Sequence, residues 1–160
     1  MYDYNQNNRD KQTGYQPRGG GYQNGENYSS KPKAEKKFSE LSFEKEWISK
    51  GANTDLVKYA EEAGKFMAEN GLTNSKIRSI YGEIKRIQMG EFEKEKSSFY
   101  LLKPKVAYAL GRDEKNEGLK LFKKIFDTAS QSVENQKSYL NFCNFIEAIL
   151  AYHKSYGGKD

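Results

Sequence analysis

The 160-residue sequence contains one cysteine, Cys143, and one histidine, His153, and these two shortages remove several kinds of chemistry. A lone thiol forms no intramolecular disulfide, and one thiol with one imidazole does not make a Cys/His zinc cluster. A metal-independent ribonuclease needs a general base and a general acid poised near neutral pH, and one histidine among scattered carboxylates does not supply that pair. No apolar run approaches the ~20 residues that span a bilayer, and the polar amino terminus lacks an apolar signal core. The expectation is a cytoplasmic protein in a reducing compartment, without metal or other cofactor.

Residues 1–37 contain no Leu, Ile, Val, Phe or Trp, and Gly, Asn, Gln and Tyr fill the space. With so little to bury, this stretch is expected to be a disordered tail ahead of one folded domain over 38–160. Arg18-Gly19-Gly20, set among tyrosines, is compatible with a segment that sticks to RNA, but one such motif is a weak signal and a solvated extension is the favoured reading. The glycine run 19–21 is not a phosphate loop, because no buried strand precedes it and no Lys-Ser/Thr helix start follows.

What is abundant is charge, and its distribution matters more than the net +5. Residues 38–71 carry net −3, residues 72–112 carry net +5, and residues 113–160 balance to zero. Positive charge in the expected domain is thus gathered into its middle, behind a more acidic entry region.

From Phe38 onward apolar residues recur at three and four residue steps, which predicts an all-α bundle of about five to six helices. A short helix carries Phe43, Trp47 and Ile48. Thr54 is expected to cap a second, with Leu56, Tyr59, Ala60, Ala63 and Met67 inward and Asn70-Gly71 as its stop. Thr73 is expected to cap a third, with Ile77, Ile80, Tyr81, Ile84 and Ile87 inward. Phe99 to Leu102 reads equally as a helical turn or an extended run. Pro104 biases Lys103 away from helix and suits the first position of a helix ending at Gly111. Glu114 to Gln131 forms the next, with Leu119, Phe122, Phe126 and Ala129 inward. The last, Asn135 to Tyr156, has the broadest apolar face and belongs at the bundle centre. His153 lies on that face and is expected to be a packed imidazole with one hydrogen bond; Cys143 is expected to be an inert buried thiol. Glu147 is expected to be an ion-pair partner or an interface residue.

Two basic elements stand out. Arg78, Gly82 and Lys85 share a narrow sector of the third helix, with Tyr81 and Arg86 on either side. The glycine invites close packing by a phosphate backbone or another helix; an ordinary solvated face is the competing reading. Lys105, Tyr108 and Arg112 align cation, ring and cation along one helical face, a combination suited to phosphate and ribose or base.

Four blocks together, Gly71-Leu72-Thr73-Asn74-Ser75-Lys76-Ile77-Arg78, Tyr81-Gly82-Glu83-Ile84-Lys85-Arg86, Leu101-Leu102-Lys103-Pro104-Lys105-Val106-Ala107-Tyr108-Ala109 and Phe145-Ile146-Glu147-Ala148-Ile149-Leu150-Ala151-Tyr152-His153-Lys154, resemble the small-subunit family of type III-A CRISPR effector (Csm) complexes. The likeness spans about residues 50–157. It implies a non-catalytic helical subunit, present in several copies beside repeating backbone subunits and a large subunit, lining the channel that holds guide RNA and target RNA. It also implies RNA-contacting roles for Lys76, Arg78, Lys85, Arg86, Lys103, Lys105 and Arg112, with Tyr108 beside them. The two basic stretches are then expected to converge on one cationic groove. A free-standing helical adaptor that binds a protein, and a nuclease using His153, are the readings from other classes.

Overall fold

Every regular element among the described residues, 42–160, of the computed structural model is a helix. The expected tail over 1–37 lies outside the described residues. A single turn, α1 (Glu46–Ser49), precedes six longer helices: α2 (Thr54–Glu69), α3 (Asn74–Gln88), α4 (Phe92–Tyr100), α5 (Leu102–Gly111), α6 (Glu117–Ser130) and α7 (Gln136–Ser155).

The periodicity explains the packing. Leu56, Tyr59, Ala60, Ala63 and Met67 of α2, the four isoleucines of α3, and Phe142, Phe145, Ile146 and Ile149 of α7 are all buried. Helix α7 packs against α1, α2, α3, α4 and α6, the central place its apolar face foretold. Two aromatic groups fill the interior: Phe43, Trp47, Tyr59 and Phe145 at one end, and Phe92, Phe99, Tyr139, Phe142 and Phe126 at the other. Each fully buried ring of this size is worth about 1.5–3 kcal/mol in apolar transfer. Tyr139 is buried with its hydroxyl donating to the Ile84 carbonyl at 2.8 Å, which joins α7 to α3 without leaving a buried polar group unmatched.

Closest approach occurs between α2 and α7. A Cβ on Gly64 would stand 2.6 Å from both the His153 nitrogen and the Ile149 carbonyl oxygen, so only glycine admits this crossing. His153 is wholly buried beside it. Its Nε2 donates to the Leu72 carbonyl at 2.8 Å, while Nδ1 has no partner among the described residues. Burial pushes the Cys143 thiol up to about 11, which keeps it protonated and unreactive at neutral pH.

Several expected boundaries move. Asn53, one residue before Thr54, caps α2 by accepting from the Leu56 N–H at 2.8 Å. Thr73 occupies the cap position of α3 but makes no capping bond; its hydroxyl meets the Ser75 hydroxyl instead, at 2.9 Å. Phe99 and Tyr100 end α4, and Leu102 opens α5 after Leu101, itself in helical conformation. Pro104 is therefore the third residue of its helix, and Lys103 is helical. The first-turn N–H groups have no partner inside a helix, so proline there sacrifices no bond. Helix α6 starts at Glu117, because Asn116 accepts from the Leu119 N–H at 2.8 Å. Asn135 and Ser138 form a reciprocal capping box on α7.

Candidate nucleic-acid interface

Helix α3 buries one stripe and thereby presents two different flanks. With Ile77, Ile80, Ile84 and Ile87 inward, 100° per residue sends Lys76, Ser79 and Glu83 to one side and Arg78, Tyr81 and Lys85 to the other. The first flank meets α5 across a groove lined by Ser75, Lys76 and Ser79 of α3, by Pro104, Lys105, Tyr108, Ala109 and Arg112 at or beside α5, and by Asp113. The second flank faces α7.

The groove owes its chemistry to two helices and the loop after α5. Lys105 and Arg112 form no ion pair among the described residues, and both are exposed. Tyr108 is 68% exposed, with the Arg112 guanidinium 5.8 Å from its ring centroid. Lys76 closes one end through an ion pair of 2.6 Å to Asp113. Asp113 also accepts from Asn116 Nδ2 at 3.0 Å, and that amide donates to the Gly71 carbonyl at 2.7 Å. The hydrogen bond from Lys76, then that from Asn116, holds the Asp113 carboxyl below its ordinary range. The α6 cap, the α2–α3 turn and the groove's end are thus one hydrogen-bonded unit.

On the other flank the cations differ in their company. Lys85 lies 3.5 Å from Glu147 of α7, which also accepts from the Tyr81 hydroxyl at 3.4 Å. Burial, then Glu147, raises the Tyr81 pKa. Glu147 is the ion-pair partner the sequence anticipated. Arg78 is exposed and unpaired among the described residues, near enough to add to the pull of Asn74 and Lys154 that lowers the Asp160 pKa. Arg86 stands on the Glu83 side of α3, where Glu83 of the same helix at 2.7 Å and Glu95 of α4 at 2.9 Å hold its guanidinium. Those hydrogen bonds raise the Arg86 pKa and lower those of both carboxylates. Lys103 is exposed about 200° around α5 from Lys105.

Of the eight residues named from the sequence, the fold brings Lys76, Lys105, Tyr108 and Arg112 together and leaves Arg78, Lys85, Arg86 and Lys103 outside the groove. Sequence reasoning missed Ser75, Ser79, Pro104 and Asp113. The serines were legible as small residues one turn apart beside Lys76; Asp113 carried no signal, because its partner lies 37 positions earlier. Gly82 has open space around the position of a Cβ, so nothing among the described residues packs against it.

Among the described residues no group of three or more His, Cys, Asp or Glu is placed to hold a metal ion, and no helix is long and apolar enough to cross a membrane. Comparison with curated proteins and with solved structures returned no match. A family model described as Csm2 Type III-A matches residues 50–159, which takes in α2 to α7 and the whole groove. On that match, over well above half of its length, the chain belongs to the Csm2 Type III-A family and is a subunit of a type III-A CRISPR Csm complex.

Proposed function

We propose that this subunit is a non-catalytic RNA-binding element of its complex, in which the α3–α5 groove holds guide RNA or target RNA by phosphate and ribose. The observation that carries the reading is the meeting of Lys105 and Arg112, neither ion-paired among the described residues, with Lys76 and the exposed Tyr108 in one depression built by two helices. Unpaired cations in register neutralise successive phosphates, and such contacts orient a strand without reading its bases. That suits an assembly that accepts any guide and leaves sequence to base pairing. Outside the groove, Arg78 and Lys103, unpaired among the described residues, extend the basic surface, while Lys85 is held by Glu147 and Arg86 by Glu83 and Glu95.

The natural setting is the cytoplasm, with repeating backbone subunits, a large subunit and neighbouring copies of this chain as partners. A handful of phosphate contacts makes one copy a weak, salt-sensitive binder; copies aligned on one RNA raise the effective concentration of each further contact.

The test uses Lys105→Ala and Arg112→Ala in the assembled complex, loaded with two guides of unrelated sequence. Each substitution is expected to weaken target binding by about the same factor for both guides and to reduce the slope of log affinity against log salt by about 1. A loss confined to one guide sequence contradicts backbone binding.

A further inference from the structure

We infer that the α3–α5 groove is a stacking site for one unpaired base of single-stranded RNA, with Tyr108 as the platform. The inference rests on the proposed RNA-binding role and narrows the ligand from any RNA to a strand with a base splayed out.

The tyrosines of the described residues are put to different uses. Tyr139 is buried and donates to a backbone carbonyl, Tyr81 donates to Glu147, and Tyr156 donates to Glu61 at 2.6 Å with Lys65 over its ring. Tyr108 makes no hydrogen bond among the described residues and leaves 68% of its surface open, with the Arg112 guanidinium 5.8 Å from its ring centroid, at the edge of a groove whose α3 wall is lined by Ser75, Lys76 and Ser79. Two of the three α3 residues lining the groove, Ser75 and Ser79, are small, which leaves room for a flat group. Lys105, one turn before it, and Arg112, one turn after it, bracket the ring along the helix, the placement needed to hold the phosphates on either side of a stacked nucleoside.

A duplex does not suit this arrangement. In A-form RNA each base is stacked on its neighbours and its faces are closed to a side chain, so an aromatic platform gains contact only from an unstacked strand. Stacking tolerates every base, because each has a π-face, so the site adds affinity without sequence preference.

The experiment measures binding of the full chain, at low salt, to a ten-nucleotide oligoadenylate and to a ten-nucleotide strand of the same sugar-phosphate backbone lacking all bases. Wild type is expected to prefer the oligoadenylate by about tenfold, Tyr108→Ala to lose that preference while binding the abasic strand as before, and Tyr108→Trp to keep it. Equal preference in wild type and Tyr108→Ala overturns the stacking site. The same probes judge the underlying reading separately: Lys105→Glu weakens both strands alike if phosphates are held in the groove, and no effect of Lys105→Glu on either strand sinks the RNA-binding role itself.

Discussion

The α2–α7 seam and the α3–α5 groove are both contacts between amphipathic helices, yet one is closed to backbone contact and the other stays open. In the seam, Gly64 removes the side chain at the crossing, and the space is taken by the Ile149 and His153 backbone and the Tyr152 Cβ. In the groove, Lys76, Lys105, Tyr108 and Arg112 extend from the helices, and their charge and size leave a depression that protein atoms do not fill. Apolar residues at a helix crossing join the two elements; what stands beside the crossing decides whether a second surface is left for a ligand.

The strongest way to break the contrast is to force the seam apart. Gly64→Ala sets a methyl group 2.6 Å from two backbone atoms that belong to one rigid helix, so the helices must separate. Overpacking of this kind costs about 1–3 kcal/mol, read as a lower denaturation midpoint, while a groove built by other helices keeps its RNA affinity in the fraction that is folded. Asp113→Asn sharpens the groove instead. It removes the carboxylate that holds Lys76, and RNA affinity at low salt is expected to rise a few-fold, checked by fluorescence anisotropy. The same pair has a definite pH sense. Because the folded Asp113 carboxyl lies below its ordinary value, its contribution to stability is present above the ordinary carboxylate range and disappears as the pH falls through the depressed value. Thermal melts at descending pH should show Asp113→Asn, which lacks this contribution throughout, converging toward wild type in that acidic window. The smallest effect belongs to Gly82, on the open face of α3. With none of the described residues near the new methyl group, Gly82→Ala should stabilise the isolated chain by up to about 1 kcal/mol in urea unfolding. Loss of assembly into the complex by this more stable variant would show that a partner lies against the bare helix there.

These two glycines show how far the sequence can be read. The sequence reading gave Gly64 no role, and Gly82 drew notice as inviting close packing. The tertiary arrangement reverses their importance among the described residues: Gly64 sits at a helix crossing and Gly82 faces open space. Position in a helix was visible; what faced that position was not.

The same division holds for the basic residues. Arg78, Lys85 and Arg86 read as one strip with a common task, but their neighbours come from three places: the chain end near Arg78, α7 against Lys85, and α4 against Arg86. Lys105, Tyr108 and Arg112 share a face of one short helix, and periodicity alone placed them together.

Periodicity and composition by themselves determined that the described chain is helical, that α7 is central, and the inward stripes of α2, α3, α6 and α7 apart from Tyr81, which is half-buried and bonded to Glu147. They left open the conformation of Phe99 to Leu102, which the structure places at the end of α4 and the start of α5. The properties they determined follow from the 3.6-residue repeat and from the cost of burying polar groups, both local in sequence. Only the tertiary structure decided which cations stay unpaired, that Asp113 restrains Lys76, and that α3 and α5 enclose a groove. Each depends on atoms distant along the chain meeting in space, and no periodic pattern encodes which flank of one helix another will face.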